Sequence, residues 1–135
     1  MLETAVLIDL QGNPLYWHTP LGRSSVFLPD SRDLWEVIWE HRHTLAGIAH
    51  SHPGGGAPWP SWEDLTTFAA VEDGLGQRLV WWITTRDQLD AFVWRGPHQH
   101  HYARIPAQGS AHHNWLEELR QRSHLPPPPG QRIWW

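Results

Sequence analysis

Hydrophobic and polar positions follow two different periods along the chain. Residues 4–10 read Thr-Ala-Val-Leu-Ile-Asp-Leu, a short apolar run rich in β-formers. Gly12-Asn13-Pro14 interrupts it and Leu15-Tyr16-Trp17-His18 resumes it, which predicts a β-hairpin. Ser25–Leu28 reads as a third short strand. Leu34, Val37, Ile38 and His41 then recur at helical spacing behind Ser31, a residue suited to an N-cap, so a helix is predicted over 32–43. Leu45–His50 reads as a short, buried strand. Residues 51–60 hold three Gly and three Pro and read as a loop. Ser61 caps a second predicted helix that faces Leu65, Phe68, Ala69 and Val71 inward and ends at Gly74 and Gly76. Leu79–Thr84 and Asp90–Arg95 form a second strand pair around Arg86-Asp87-Gln88. Residues 98–105 read as an edge strand and 112–122 as a helix. The order β-β-α-β-α-β-β, then a helix, predicts a mixed α/β sandwich with helices packed on a central sheet.

Length supports one domain. The chain has 135 residues, 40% of them hydrophobic, enough for one core and too few for two domains of ordinary size. Residues 1–125 are assigned to that domain. Residues 126–135 form a tail, because the four consecutive prolines at 126–129 exclude helix and favour an extended segment ending in Trp134-Trp135. The formal net charge is -4, and all ten basic residues are Arg. That sign disfavours nucleic acid as a partner. No apolar run approaches the ~18 residues of a membrane span, so no membrane partner and a cytoplasmic setting are expected. Cys is absent, which excludes disulfides, thiolate metal sites and cysteine nucleophiles. With 11 Trp, several indoles are expected half exposed on a binding surface.

The 11 His carry the chemistry. His50 and His52 are two apart at a strand end, so alternation puts both imidazoles on one face. That spacing suits two ligands of one tetrahedral zinc. Asp64 lies in the first turn of the next helix, after a loop long enough to fold it back over the strand end. Two His and one carboxylate leave a fourth position for water, the arrangement of a catalytic zinc. Ser61, three residues before Asp64, makes a helix-capping pattern, and its hydroxyl can also donate to an oxyanion. His41/His43 and His98/His100 repeat the two-residue spacing but read as surface histidines.

The ordered set of strand, His50-Ser51-His52-Pro53, loop and Ser61-Trp62-Glu63-Asp64 resembles the JAMM (MPN-plus, JAB-domain) zinc metallopeptidases, over residues 1–95. Their signature is His-Ser/Thr-His-Pro, then Ser-x-x-Asp, with an upstream Glu. The resemblance implies the α/β (α+β) cytidine-deaminase-like JAB/MPN fold, a mixed central sheet flanked by helices. It implies His50, His52 and Asp64 as ligands of one zinc per chain, with Ser61 helping to hold the carbonyl oxyanion. Glu3, just before the first apolar run, matches the family's Glu and takes the role of general base. Glu36 and Glu40 are rivals but read as solvent-face residues. One departure is the loop: seven residues separate Pro53 from Ser61, where six is usual.

Related enzymes cut after the C-terminal Gly-Gly of ubiquitin or a ubiquitin-like protein, so the resemblance implies a zinc isopeptidase with a ubiquitin-like substrate. Trp59, in the site loop, is the candidate wall of a channel for two glycines. Alternatives are a non-catalytic scaffold of the same fold, a RadC-like DNA-repair-associated domain, and a His-rich metal-binding protein. Retention of all three ligands and Ser61 disfavours the first. Net charge disfavours the second. One tight zinc, against several loose ones, separates the third.

Overall fold

In a computed structural model the described residues are 1–53, 56–105 and 113–125. The chain runs β1 (Ala5–Asp9), β2 (Pro14–His18), α1 (Arg32–Glu40), β3 (Leu45–Ser51), α2 (Trp62–Leu75), β4 (Val80–Thr84), β5 (Leu89–Trp94), β6 (Tyr102–Ile105) and α3 (Leu116–Arg122). Among the described residues these six strands join one sheet in the order β2-β1-β3-β4-β5-β6. Only β3 and β4 are parallel, joined by α2 as the crossover. The other neighbours are antiparallel, giving the mixed α+β sheet that the sequence pattern predicts.

Strand alternation divides the core. Ala5, Leu7, Ile48, Trp81, Ile83 and Phe92 pack with Ile38 of α1 and Phe68 and Val71 of α2. Val6, Ile8 and Ala49 point to the other face, against Trp115, Leu116 and Leu119. Close approach of β3 and β4 fixes Gly47. A Cβ there would lie 1.8 Å from the Val80 carbonyl oxygen, so no other residue fits without moving a central strand.

Several predicted boundaries shift. Residues 25–28 form no strand. Ser24 N–H donates to the Phe27 carbonyl at 2.8 Å, closing the chain on itself, and Pro29 has no N–H to extend a ladder. The first helix ends at Glu40 rather than 43, because residues 41–44 turn tightly into β3, where Thr44 and Leu45 N–H both donate to the His41 carbonyl. Gly74 stays inside α2; Gly76 alone ends it, in the left-handed region at φ 67°. The edge strand shortens to Tyr102–Ile105 and the last helix to Leu116–Arg122. His112, Gly54, Gly55 and the tail 126–135 lie outside the described residues.

Helical periodicity did not flag Glu72. It is 2% exposed on α2. Its carboxylate accepts from Arg78 Nη1, Leu79 N–H and Trp81 Nε1, each at 2.9 Å, and from the Tyr102 hydroxyl. Burial and the Glu72 hydrogen bond push the Tyr102 pKa up, so its phenol stays a donor. This carboxylate ties α2 to β4 and β6. Glu72→Ala would strand several buried donors and is expected to destabilise the protein by about 3 kcal/mol or more. Denaturant unfolding would check it; a loss under ~1 kcal/mol would show that the network is dispensable.

Candidate metal centre

Register brings the site together. Ala5 pairs with His50, and His50 with Ile83. Glu3 shares the parity of Ala5 and so points to the α1/α2 face, as His50 does. The His50 and His52 rings meet edge-on with centroids 4.8 Å apart, and their Nε2 atoms are 3.0 Å apart. Asp64 Oδ2 lies 2.9 Å from His52 Nε2 and 3.4 Å from His50 Nε2. Glu3 offers a carboxylate oxygen within 4.8 Å of both imidazoles. Of the sequence candidates, His50, His52, Asp64 and Glu3 therefore converge, and Ser61 borders the same cleft.

Helix capping aims Asp64. Ser61 Oγ accepts the Asp64 N–H at 3.0 Å, and Asp64 Oδ2 accepts the Ser61 N–H at 2.9 Å, a reciprocal capping box. The oxygen that closes the box is the one that faces the imidazoles. Capping and convergence are thus one arrangement, and the longer loop does not keep Asp64 from the cluster. The Ser61 hydroxyl, used here as an acceptor, keeps its proton for donation.

The donor set fits a small cation. Tetrahedral ligands at ~2.0–2.1 Å from a metal lie about 3.3 Å from one another, close to the three separations seen here. Two imidazole nitrogens and one carboxylate oxygen are also the ligand chemistry that zinc takes. Glu3, His50 and His52 lie close enough to bind a metal as well, so two carboxylates compete for the third place. The shorter contacts of Asp64 favour it as the direct ligand.

The two carboxylates titrate in opposite directions. Burial alone would raise the Asp64 pKa. The His50 charge, hydrogen bonds with both imidazoles and the Ser61 N–H outweigh it and hold Asp64 well below the usual carboxylate range. Glu3 lacks such a set. Burial pushes its pKa up to about 7, with His52 opposing and Asp64 adding to the rise.

A cleft of about 950 Å³ opens on this cluster. It is lined by Val26, Phe27, Leu28, Leu34 and Trp35, and by His18. Sequence reading missed this wall, because an irregular segment such as 24–30 has no period to detect. Trp59, the proposed channel wall, is not in the lining. Its ring tilts on Phe92 with centroids 5.7 Å apart, and Arg104 lies over it. Trp35, Trp39, Trp59 and Trp62 are all more than a third exposed, as the Trp count suggested. Glu36 pairs with Arg32 at 2.9 Å on the solvent side and takes no part. His43 and His98 are exposed, and His100 packs on Trp62. Among the described residues no helix is long and apolar enough to cross a membrane.

Residues 7–96 match the family of prokaryotic homologues of the JAB domain. The chain belongs to this family. The matched span holds His50, His52, Ser61 and Asp64, whereas Glu3 and α3 fall outside it. A search of curated proteins finds no significant match. The JAB family includes hydrolases, and the metal-ready cluster agrees with such chemistry.

Glu3 makes the stability of the metal-free JAB domain depend on pH. Its folded pKa of about 7 exceeds the ordinary glutamate value of 4.5. The folded state therefore holds the proton more tightly, and its contribution to stability is full below ~4.5 and lost as pH rises through ~7. Glu3→Gln removes this slope. With chelator present, the variant should gain stability relative to wild type between pH 5 and pH 8. Thermal unfolding of both proteins at the two pH values checks it. Equal changes in both would show that Glu3 titrates normally.

Proposed function

We propose that this JAB-domain protein is a zinc-dependent metallo-isopeptidase, cytoplasmic in setting, that cleaves after the C-terminal Gly-Gly of a ubiquitin-like protein. Precursor processing and deconjugation use the same chemistry. One observation carries the reading: His50, His52 and Asp64 converge at near-tetrahedral spacing, with a second carboxylate, Glu3, within 4.8 Å of both imidazoles. A scaffold has no need of that second carboxylate.

His50, His52 and Asp64 would hold one zinc, with the Ser61 N–H orienting the Asp64 oxygen from behind. Zinc, when bound, supplies a Lewis acid that brings the pKa of its water toward ~7. Glu3 takes the proton of the attacking water and returns it to the leaving amine. The Ser61 hydroxyl donates a hydrogen bond to the carbonyl oxygen as charge develops there. No side chain forms a covalent intermediate, in keeping with a chain without Cys. The cleft between segment 24–30, α1 and α2 is where an extended substrate tail would lie.

Zinc reconstitution followed by elemental analysis is expected to give one zinc per chain, and a chelator to abolish turnover. His50→Ala and His52→Ala should each lose metal and activity together. No bound metal after reconstitution would overturn the reading. A ubiquitin-like protein with a fluorogenic amide after its terminal Gly-Gly should be cut, and casein left intact; efficient casein digestion would contradict the substrate assignment.

Glu3→Gln should keep zinc, because His50, His52 and Asp64 would hold it without Glu3. Its turnover should fall by ~10²-fold or more, the scale of a lost acid/base group. Near wild-type turnover would place the base elsewhere.

A further inference from the structure

Glu3 lies beyond the sheet. The β1–β3 ladder begins at the Ala5–His50 pair and one backbone bond, from Ser51 N–H to the Thr4 carbonyl, extends it, so strand pairing does not reach residues 2 and 3. Other contacts do. Leu2 N–H donates to the Ser123 carbonyl at 2.8 Å and Glu3 N–H to the Ser24 carbonyl at 2.7 Å. Thr4 N–H donates to Ser51 Oγ at 3.0 Å, and Ser51 N–H returns a bond to the Thr4 carbonyl at 3.0 Å. Arg23 Nη1 donates to Thr4 Oγ1 at 2.5 Å and to the Arg122 carbonyl at 3.3 Å.

Two buried hydroxyls join these bonds to α3. Ser51 Oγ and Ser123 Oγ are 2.7 Å apart, and Ser123 Oγ is 2.6 Å from the Leu119 carbonyl. Each hydroxyl has a single proton. Both contacts are met together only if Ser51 donates to Ser123 and Ser123 to Leu119. The chain then reads Thr4 N–H to Ser51, Ser51 to Ser123, and Ser123 to Leu119, with every group paired. Thr4, Ser51 and Ser123 are each 0% exposed, so water cannot replace these bonds.

We propose that Ser51 and Ser123 are positioning residues: their hydroxyl relay, with the Ser123 carbonyl, fixes the backbone on both sides of Glu3 and so holds its carboxylate at the metal cluster. The relay faces α3 and Glu3 faces the cleft, because neighbouring residues of an extended chain point to opposite sides. Ser51 itself stands between His50 and His52, so one strand end carries the ligands on one face and the brace for the base on the other. The inference rests on Glu3 being the base.

The test uses the zinc-loaded full chain. Ser123→Ala keeps the carbonyl that binds Leu2 but removes the partner that holds Ser51 Oγ toward Thr4, so it should speed hydrogen exchange of the Thr4 amide about tenfold, the scale of one lost hydrogen bond, and leave β4 and β5 unchanged. It should lower kcat about tenfold with KM and zinc content unchanged, since displacement of a catalytic group acts on the chemical step. In a Glu3→Gln background the same substitution should cost nothing further, because no base remains to be positioned. Arg23→Gln, outside the core, should act in the same direction should Ser123→Ala fold poorly. Leu116→Ala should lower stability without this kcat loss. Unchanged exchange at Thr4 would overturn the inference, as would an equal kcat loss with and without Glu3. Full turnover by Glu3→Gln alone is a separate outcome. It would remove the base assignment and the inference with it.

Discussion

A single carboxylate oxygen organises the centre of this protein. Asp64 Oδ2 accepts the Ser61 N–H and faces both His50 and His52. It therefore joins the first turn of α2 to the end of β3, adding a polar link to the packing of Phe68 and Val71 on Ile48. The helix terminus needs a partner for its free N–H groups, and an acid in the first turn is favoured there whatever else it does. Local helix chemistry thus places the carboxylate, and the parallel β3–β4 pairing places the imidazoles.

This double use explains why the centre was legible in the sequence. His-Ser-His at a strand end and Ser-x-x-Asp at a helix start are each local patterns with a fixed geometric result. Alternation puts both imidazoles on one side, and the capping box turns Asp64 back over its own cap. The extra residue in the loop did not matter, because the cap and the strand fix the two ends. Glu3 was legible only through the family pattern. No local rule holds a carboxylate that lies outside the ladder, two residues before β1.

What was not legible depends on contacts distant in sequence. Glu72 sits on α2 among apolar residues, and only the folded chain shows its donors arriving from Arg78, Leu79, Trp81 and Tyr102. Residues 25–28 looked like a strand because Val26, Phe27 and Leu28 are apolar and strand-compatible. A strand needs a partner, however, and this segment instead folds back through Ser24 and Phe27 and supplies the wall of the cleft. Trp59 was placed by its nearness in sequence to the ligands. Its ring found Phe92 and Arg104, and the cleft took its aromatic surface from Phe27 and Trp35.

The two faces of the sheet have different tasks. On the α1/α2 face, apolar packing stops short of the β3 end, and the space holds the imidazoles, two carboxylates and the cleft. On the α3 face, the same strand end is closed by Trp115, Leu116 and Leu119 and by the Ser51–Ser123 pair. An open face is required for a substrate to reach the cluster, and openness leaves few contacts to hold the groups that act there. Order must then come through the sheet from the closed side. Residues 2–4 show the consequence most clearly. Their backbone bonds run to Ser123 at the end of α3, to Ser51 of β3 and to Ser24, while the Glu3 side chain between them faces the cleft. His50, His52 and Asp64 lie within the matched family span, whereas one of the bonds that hold residues 2–4 comes from Ser123, beyond it.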